Sequence, residues 1–262
     1  MVRILLEFSM SNQLVKVAKH SDHVVLITMN RTERHHALNH ELATKLVEAL
    51  EDCESDPNIS AVVLTGAGEK AFCAGQDMVE QSGIGREEGV PKSIAAYIAI
   101  ERFANSPLPI IAAINGYCYG GGAALAISCD IRLASELATF RLPGAEYGLV
   151  VGAACFPRLV GAARAKELIF TAKTFSAIEA EKWGFVNSLF SADLLLLEAL
   201  NMAEAISMNS ALAVQESKRV IDAATLDQVA LGLEDEINSR LRGSEDQVFR
   251  FNKATKRVTG KS

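Results

Sequence analysis

The chain has 262 residues, 49% of them hydrophobic and 22% charged, with a formal net charge of −6. That length fits one large domain, or a core with a helical appendage, and the apolar share is enough to bury a substantial core. The acidic balance, with no dense Lys/Arg patch, disfavours nucleic acid, and no run approaches the ~20 apolar residues that span a bilayer, so neither nucleic acid nor membrane is expected as a partner. The five cysteines (Cys53, Cys73, Cys118, Cys129 and Cys155) are odd in number and form no CxxC pair. Residues 1–10 are too short an apolar start for a secretory signal, and the last four residues match no lipidation or peroxisomal address. Reduced thiols in the cytoplasm are the expectation.

Residues 14–17 and 24–29 read as strands on either side of the turn-prone Ser21-Asp22. Asn39 caps an amphipathic helix with Glu41 in its first turn and Leu42, Leu46, Val47 and Leu50 on one face. Residues 61–65 form a short buried strand ending in Gly66-Ala67-Gly68. The polar, glycine-bearing stretch 80–92 reads as a mobile surface segment. A helix over 94–104 follows, and Pro107 and Pro109 flank a strand over 110–114. Residues 123–128 are apolar or small on every side, which predicts a buried helix, and 131–134 resumes the strand pattern. From about Leu194 the texture changes to helices alone, with Leu226, Val229, Leu233, Ile237 and Leu241 recurring at helical spacing between charges. The expectation is an α/β core over 1–193 and a helical region over 194–262, with no repeat at solenoid periods.

Gly120-Gly121-Gly122 opens the apolar helix, and an earlier loop, Ala71-Phe72-Cys73-Ala74-Gly75-Gln76-Asp77, answers it. Each piece offers bare backbone N–H groups, and two such donors converging on one point form an oxyanion hole. The glycines alone also fit tight packing or a phosphate-binding turn. However, the third glycine of a dinucleotide fingerprint and the Lys-Ser/Thr of a P-loop are missing, which counts against a nicotinamide-dependent oxidoreductase. No GxSxG elbow supports a serine hydrolase. All five histidines lie at or before His40 without metal-binding spacing, so no metal is expected.

Four blocks taken together carry a resemblance: Ile27-Thr28-Met29-Asn30-Arg31 leading to Ala37-Leu38-Asn39; Ala71 through Asp77; Asn115-Gly116-Tyr117 through Gly122 to Asp130-Ile131; and the stretch 171–187 with Ala177, Glu179-Ala180 and Gly184-Phe185-Val186-Asn187. In this set the chain, up to about residue 220, resembles the enoyl-CoA hydratase/isomerase (crotonase) superfamily. The resemblance implies a spiral of ββα turns and a C-terminal helical region that builds homotrimers, often paired into hexamers. It implies a thioester substrate carried on coenzyme A, with no permanently bound cofactor. The thioester oxygen would lie between the N–H groups of Gln76 and Gly121. Ala37 and Ala74 match positions that line the adenine and pantetheine, Arg34 is placed to meet a phosphate, and Lys218 matches a basic position on a later helix. For both cations a solvated surface charge is the competing reading. Asp77 and Asp130 match positions expected to be structural.

Hydratases of this family use two glutamates, and the matching positions here are Ala124 and Gly144. Some isomerases place a single carboxylate further along, where residues 149–154 contain none. Glu146, with Tyr147 beside it, is the nearest remaining carboxylate and the candidate acid or base, with outward pairing to an arginine as the competing reading. Core packing is the safer reading for Tyr117, Cys118 and Tyr119. The expectation is therefore a divergent acyl-CoA enzyme of fatty acid metabolism, a lyase or isomerase working through an enolate stabilised in the oxyanion hole. The alternatives are a non-catalytic acyl-CoA-binding protein and an acyl-CoA decarboxylase.

Overall fold

The computed structural model describes residues 13–82 and 95–259. Strands β1 (Val15–Lys19), β2 (Val24–Met29), β3 (Ala61–Gly66), β5 (Ile110–Ile114), β7 (Ile131–Ser135) and β10 (Ser188–Phe190) form one sheet in the order β1-β2-β3-β5-β7-β10. Within it only β1 runs antiparallel to its neighbour. A smaller sheet holds β4 (Ala71–Cys73), β6 (Tyr117–Tyr119), β8 (Thr139–Arg141) and β9 (Phe175–Ser176), in that order. Successive strands alternate between the sheets: β3 then β4, β5 then β6, β7 then β8. Helices follow each pair: α2 (Met78–Ser82) and α3 (Ala95–Ala104), then α4 (Gly121–Ser128), then α5 (Pro157–Val160) and α6 (Ala162–Thr171). This is the expected α/β spiral of ββα units.

Strands β2, β3 and β5 are near-continuous apolar runs because both of their faces are covered, as parallel strands require. Alternate residues divide between two cores. Val25, Ile27, Val62, Leu64, Ile110 and Ala112 share one core with Leu42, Leu46 and Leu50 of α1 (His40–Ser55). Val24, Ala61, Val63, Ile111 and Ala113 face the other way, onto Leu195, Ala199 and Ala203. Those three lie on one stripe of α8 (Leu195–Ser207), which follows the short α7 (Ala177–Lys182) with its Ser176–Glu179 capping box. The helical region after residue 193 thus begins by sealing the main sheet. It continues through α9 (Ala211–Thr225), α10 (Gln228–Leu241) and α11 (Glu245–Thr259).

Several expectations shift. The buried helix starts at Gly121, two residues earlier than predicted, because glycine is accepted where the chain turns into it. Of the predicted mobile stretch, residues 80–82 close α2, and the rest lies outside the described residues. The helix predicted over 94–104 is described from Ala95. The apolar stripe from Leu226 to Leu241 does not form one buried face: Leu226 caps the end of α9, and Val229 and Leu233 are 81% and 53% exposed. Instead α10 turns Glu234 and Asn238 inward. All five thiols are free, and burial pushes that of Cys73 up to about 12.

Candidate active site

In the smaller sheet β4 and β6 are parallel neighbours, with Cys73 opposite Cys118. The residues that follow each strand therefore leave the same end of the sheet side by side. Gly75, at φ 99, and Gly120, at φ 52, make the turns, in a region closed to most side chains. A Cβ built on Gly75 would lie 3.1 Å from the Gly121 nitrogen, and one on Gly121 would lie 3.4 Å from the Gln76 nitrogen. The two amides are adjacent. Gln76 forms an isolated bridge with Leu38 in which its chain neighbours make the bonds, Leu38 N–H to Gly75 O at 2.7 Å and Asp77 N–H to Leu38 O at 3.0 Å. The Gln76 N–H is left over. Gly121 is the first residue of α4, so its N–H has no acceptor within the helix and sits at the positive end of the dipole. Neither N–H has an acceptor among the described residues.

The glycine triplet thus meets three separate needs. Gly120 supplies the turn and donates to Arg141 O at 2.9 Å. Gly121 supplies the free amide. Gly122 supplies clearance, since a Cβ there would lie 2.2 Å from the Cys73 carbonyl oxygen.

A polar frame holds the Gln76 loop. Arg31 donates to Asp77 Oδ2 at 2.6 Å and to Ala37 O at 2.8 Å, and Asp77 Oδ1 takes the N–H groups of Val79 and Glu80 at the start of α2. Burial alone would raise the Asp77 carboxyl, but the Arg31 guanidinium and the backbone donors hold it below its ordinary range. Buried His36 accepts the Arg31 N–H on Nδ1, so Nε2 carries the proton donated to Ala67 O at 3.0 Å. Burial pushes this imidazole below its ordinary 6.5, which keeps it neutral. Ala74 N–H donates to His35 O at 2.9 Å, and Ala37 N–H to Arg34 O at 3.0 Å. Arg34, Ala37, Ala74, Gln76 and Gly121 are therefore gathered along one connected pair of loops, with Arg34 exposed.

Lys218 is elsewhere. Its ammonium donates to Leu108 O at 3.0 Å and Asp130 Oδ2 at 2.9 Å, and Asp130 also takes the Ile110 N–H. That cluster stands at the start of β5, a strand about 16 Å long at ~3.3 Å per residue. The chain reaches Gly121 only after leaving its far end. Burial raises the Asp130 carboxyl while Lys218 pulls it down. As expected, Asp77 and Asp130 brace backbone amides.

The wall beside the two amides is apolar. In the first turn of α4 only Gly121 and Ala124 are half-exposed, while Gly122 and Ala123 are buried. A Cβ on Gly144 would lie 2.9 Å from both the Leu149 carbonyl oxygen and Val151 Cγ2. Residues 149–154 are all apolar and half-buried. Glu146 sits in a 3-10 turn over Ala145–Tyr147 and places one oxygen on Arg141 and the other on Arg257 of α11. Burial would raise its carboxyl, but the two guanidiniums outweigh that and lower it. Tyr147 meets Phe251 edge to face, Tyr119 pairs with Thr139 through its hydroxyl, and the Gln76 side chain donates to Gln81 at 2.6 Å. Sequence reasoning missed Glu234 and Asn238, which bond the backbone of this wall. A signal was present: polar residues at i and i+4 on the helix face opposite Val229 and Leu233.

Two adjacent amides at the mouth of parallel strands, beside an apolar wall and without acceptors among the described residues, are an arrangement that can donate to an oxygen bearing negative charge. The family model described as enoyl-CoA hydratase/isomerase matches residues 19–247, and the chain belongs to that family, within the crotonase superfamily. It is 36% identical over 229 residues to a short-chain-enoyl-CoA hydratase of Clostridium acetobutylicum, covering 86% of this chain and 88% of that one. It is 33% identical over 231 residues to a mevalonyl-coenzyme A hydratase of Aspergillus fumigatus, covering 86% and 85%. The crystal structure of an enoyl-CoA hydratase/isomerase from Xanthobacter autotrophicus Py2 superposes with a TM-score of 0.84 at 30% identity, covering 95% of both chains. Among the described residues no helix is long and apolar enough to cross a membrane.

Proposed function

We propose that this chain is an enzyme acting on acyl-CoA thioesters, and that the N–H groups of Gln76 and Gly121 stabilise the enolate oxygen formed from the thioester carbonyl. The adjacency of these two amides, with no other acceptor among the described residues, carries the reading. Fixed donors of this kind act without reorganising during the reaction, and more strongly in a site that excludes water. The CoA moiety runs along Arg34, Ala37 and Ala74, with no permanently bound cofactor. Lys218 would contribute only at the far end of such a ligand, or to a neighbouring subunit's.

Addition of water by two glutamates is disfavoured, because Ala124 has no carboxylate and the space at Gly144 is filled by Leu149 and Val151. Glu146 is ionised at neutral pH, so any chemical part it takes is that of a base, weakened by its two guanidiniums. The apolar wall favours a second reading within the same class, decarboxylation. There the bond from the α-carbon to a substrate carboxylate breaks, its electron pair passes into the enolate held by the two amides, carbon dioxide leaves, and water returns a proton to the α-carbon. A retired acyl-CoA-binding protein is the remaining alternative. Incubation with 2-enoyl-, 3-enoyl- and malonyl-type thioesters separates the three: product from any of them that disappears in Gly121→Pro supports catalysis, whereas tight binding with no turnover supports the retired protein.

The exposed apolar residues Val220, Ile221, Val229 and Leu233 on α9 and α10 suit assembly into a homotrimer or a dimer of trimers in the cytoplasm. The division into 1–193 and 194–262 is then one of role, catalysis against assembly, although α8 packs with the core. Light scattering coupled to size exclusion measures the assembly directly.

A further inference from the structure

The stretch 149–154 has neither helix nor strand, yet its half-buried backbone polar groups need partners. Its own side chains are all apolar and supply none. Leu149 N–H donates to Gly144 O at 2.9 Å and Gly152 O takes the Phe156 N–H at 2.8 Å, while the Val150 peptide and the Gly152 and Ala154 N–H groups find partners on one face of α10. Asn238, 7% exposed, accepts the Val150 N–H at 3.0 Å and donates to the Val150 carbonyl at 2.7 Å, reading that peptide in both directions. Glu234 accepts the Gly152 N–H at 2.8 Å on one oxygen and the Ala154 N–H at 2.7 Å on the other. A helix packing for burial alone would turn Val229 and Leu233 inward. Here they face outward, and a half-buried carboxylate and a buried amide turn inward instead, which is tolerable because each bonds backbone groups.

Val151 stands between the clamped residues Val150 and Gly152, and its side chain fills the space beside Gly144. The Gly152 position faces Leu142 and Ile127, the latter on the helix that Gly121 opens. The clamp therefore fixes where Val151 stands against Gly144 and where Gly152 stands against α4, the helix that Gly121 opens. We infer that Glu234 and Asn238 are positioning residues that hold residues 150–154 and thereby set the depth of an apolar pocket for the acyl chain of the thioester. This rests on the acyl-thioester reading above and extends it to the part of the substrate that the wall meets, the aliphatic portion of the acyl group.

The test is a ladder of dissociation constants, measured by calorimetry, for CoA and for acetyl-, butanoyl-, hexanoyl- and octanoyl-CoA. Each buried methylene contributes ~0.8 kcal/mol, or about four-fold in affinity, until the pocket is full. The wild-type ladder is expected to rise and then stop abruptly. In Asn238→Leu and Glu234→Ala the affinity for CoA itself should stay within about two-fold, while the per-methylene gain flattens and the cutoff blurs. A mere loss of fold stability would not separate the acyl increment from the CoA affinity in this way. Val151→Ala, which leaves α10 untouched, should move the cutoff to longer chains. An unchanged ladder in all three variants would overturn the inference. Should the α10 variants fail to fold, the Val151→Ala ladder tests the wall and hydrogen exchange in the wild type tests the clamp, and failure of either overturns the inference. Hydrogen exchange of the Gly152 and Ala154 amides reads the clamp without any ligand: protection in the wild type supports it, and rapid exchange there refutes it. A wild-type protein with a protected loop but no affinity for any thioester would refute the thioester reading and leave the clamp standing.

Discussion

Replacing Gly121 with proline removes one N–H from the site and places the ring Cδ along the direction in which that hydrogen pointed, beside the Gln76 amide. Gly121 is the first residue of α4, where proline's fixed φ is welcome and the lost donor bonds nothing in the helix. Proline also restricts the residue before it, but Gly120 at φ 52 and ψ −119 occupies the mirror image of the extended region, which glycine adopts freely. The new Cβ would lie 3.1 Å from Ala96 Cβ, a contact relieved by a few tenths of an ångström. Loss of one of two oxyanion donors costs roughly 10²–10³ in rate, about 2.7–4 kcal/mol of transition-state stabilisation. Deuterium incorporation at the α-carbon of a saturated acyl-CoA in heavy water, followed by mass spectrometry, reads enolate formation whichever overall reaction the enzyme carries out. Gly122→Ala is the contrasting variant. It keeps both amides but drives a Cβ to within 2.2 Å of the Cys73 carbonyl oxygen, a clash worth about 1–3 kcal/mol or more of stability. A folded Gly121→Pro protein that exchanges the α-proton as fast as the wild type would refute the oxyanion role.

Ala124→Glu adds a side chain at a half-exposed helical position and should leave the melting temperature nearly unchanged. Gly144→Glu meets a carbonyl oxygen and Val151 at 2.9 Å and should lose on the order of 1–3 kcal/mol in thermal unfolding. Glu146→Gln breaks a partly exposed pairing with Arg141 and Arg257, so its stability cost should stay near or below ~1 kcal/mol by urea titration. Undiminished turnover in that variant removes Glu146 from the list of acids and bases. Because the folded pKa of His36 lies below 6.5, the unfolded chain binds a proton first as the pH falls. Its contribution to stability is therefore complete above about 6.5 and is lost on acidification from there through the folded pKa. The urea midpoint should drop across that window, and His36→Gln should flatten the slope; an equal slope in both proteins would remove His36 as its source.

The strands were legible because β2, β3 and β5 are buried on both faces, which leaves unbroken apolar runs in the sequence. The amide pair was legible through Gly75, Gly120 and Gly122, since turns and clearances of this kind select glycine. Where β4 and β6 pair, and hence that Gln76 meets Gly121, came only from the resemblance, because three-residue strands carry almost no periodic signal. The face of α10 misled for a physical reason. Val229 and Leu233 mark an apolar stripe, but the face turned inward is the one that bonds the backbone of Val150, Gly152 and Ala154, a demand invisible in α10's own sequence. Lys218 and Glu146 show a similar effect. Charges that look free along the chain are claimed by Asp130, Arg141 and Arg257, which lie far away in sequence or on other elements.

The pattern of those claims bears on how the site works. Arg31 is matched by Asp77, Lys218 by Asp130, Arg141 and Arg257 share Glu146, and the Glu234 carboxylate is spent on backbone donors. None of these side chains is left as a free charge to meet an enolate. Among the described residues the pair of N–H groups at Gln76 and Gly121 is left without an acceptor, reinforced by the dipole of α4. A weak, fixed positive field in apolar surroundings favours diffuse charge on an oxygen over a full counter-ion contact, because the competing water is excluded and the donors are already oriented. On the proposed reading, such a site would stabilise an enolate whichever bond to the α-carbon breaks. Reaction type must then follow from what the substrate carries into the apolar wall, and that wall is set by Ala124, Gly144 and the clamped Val151.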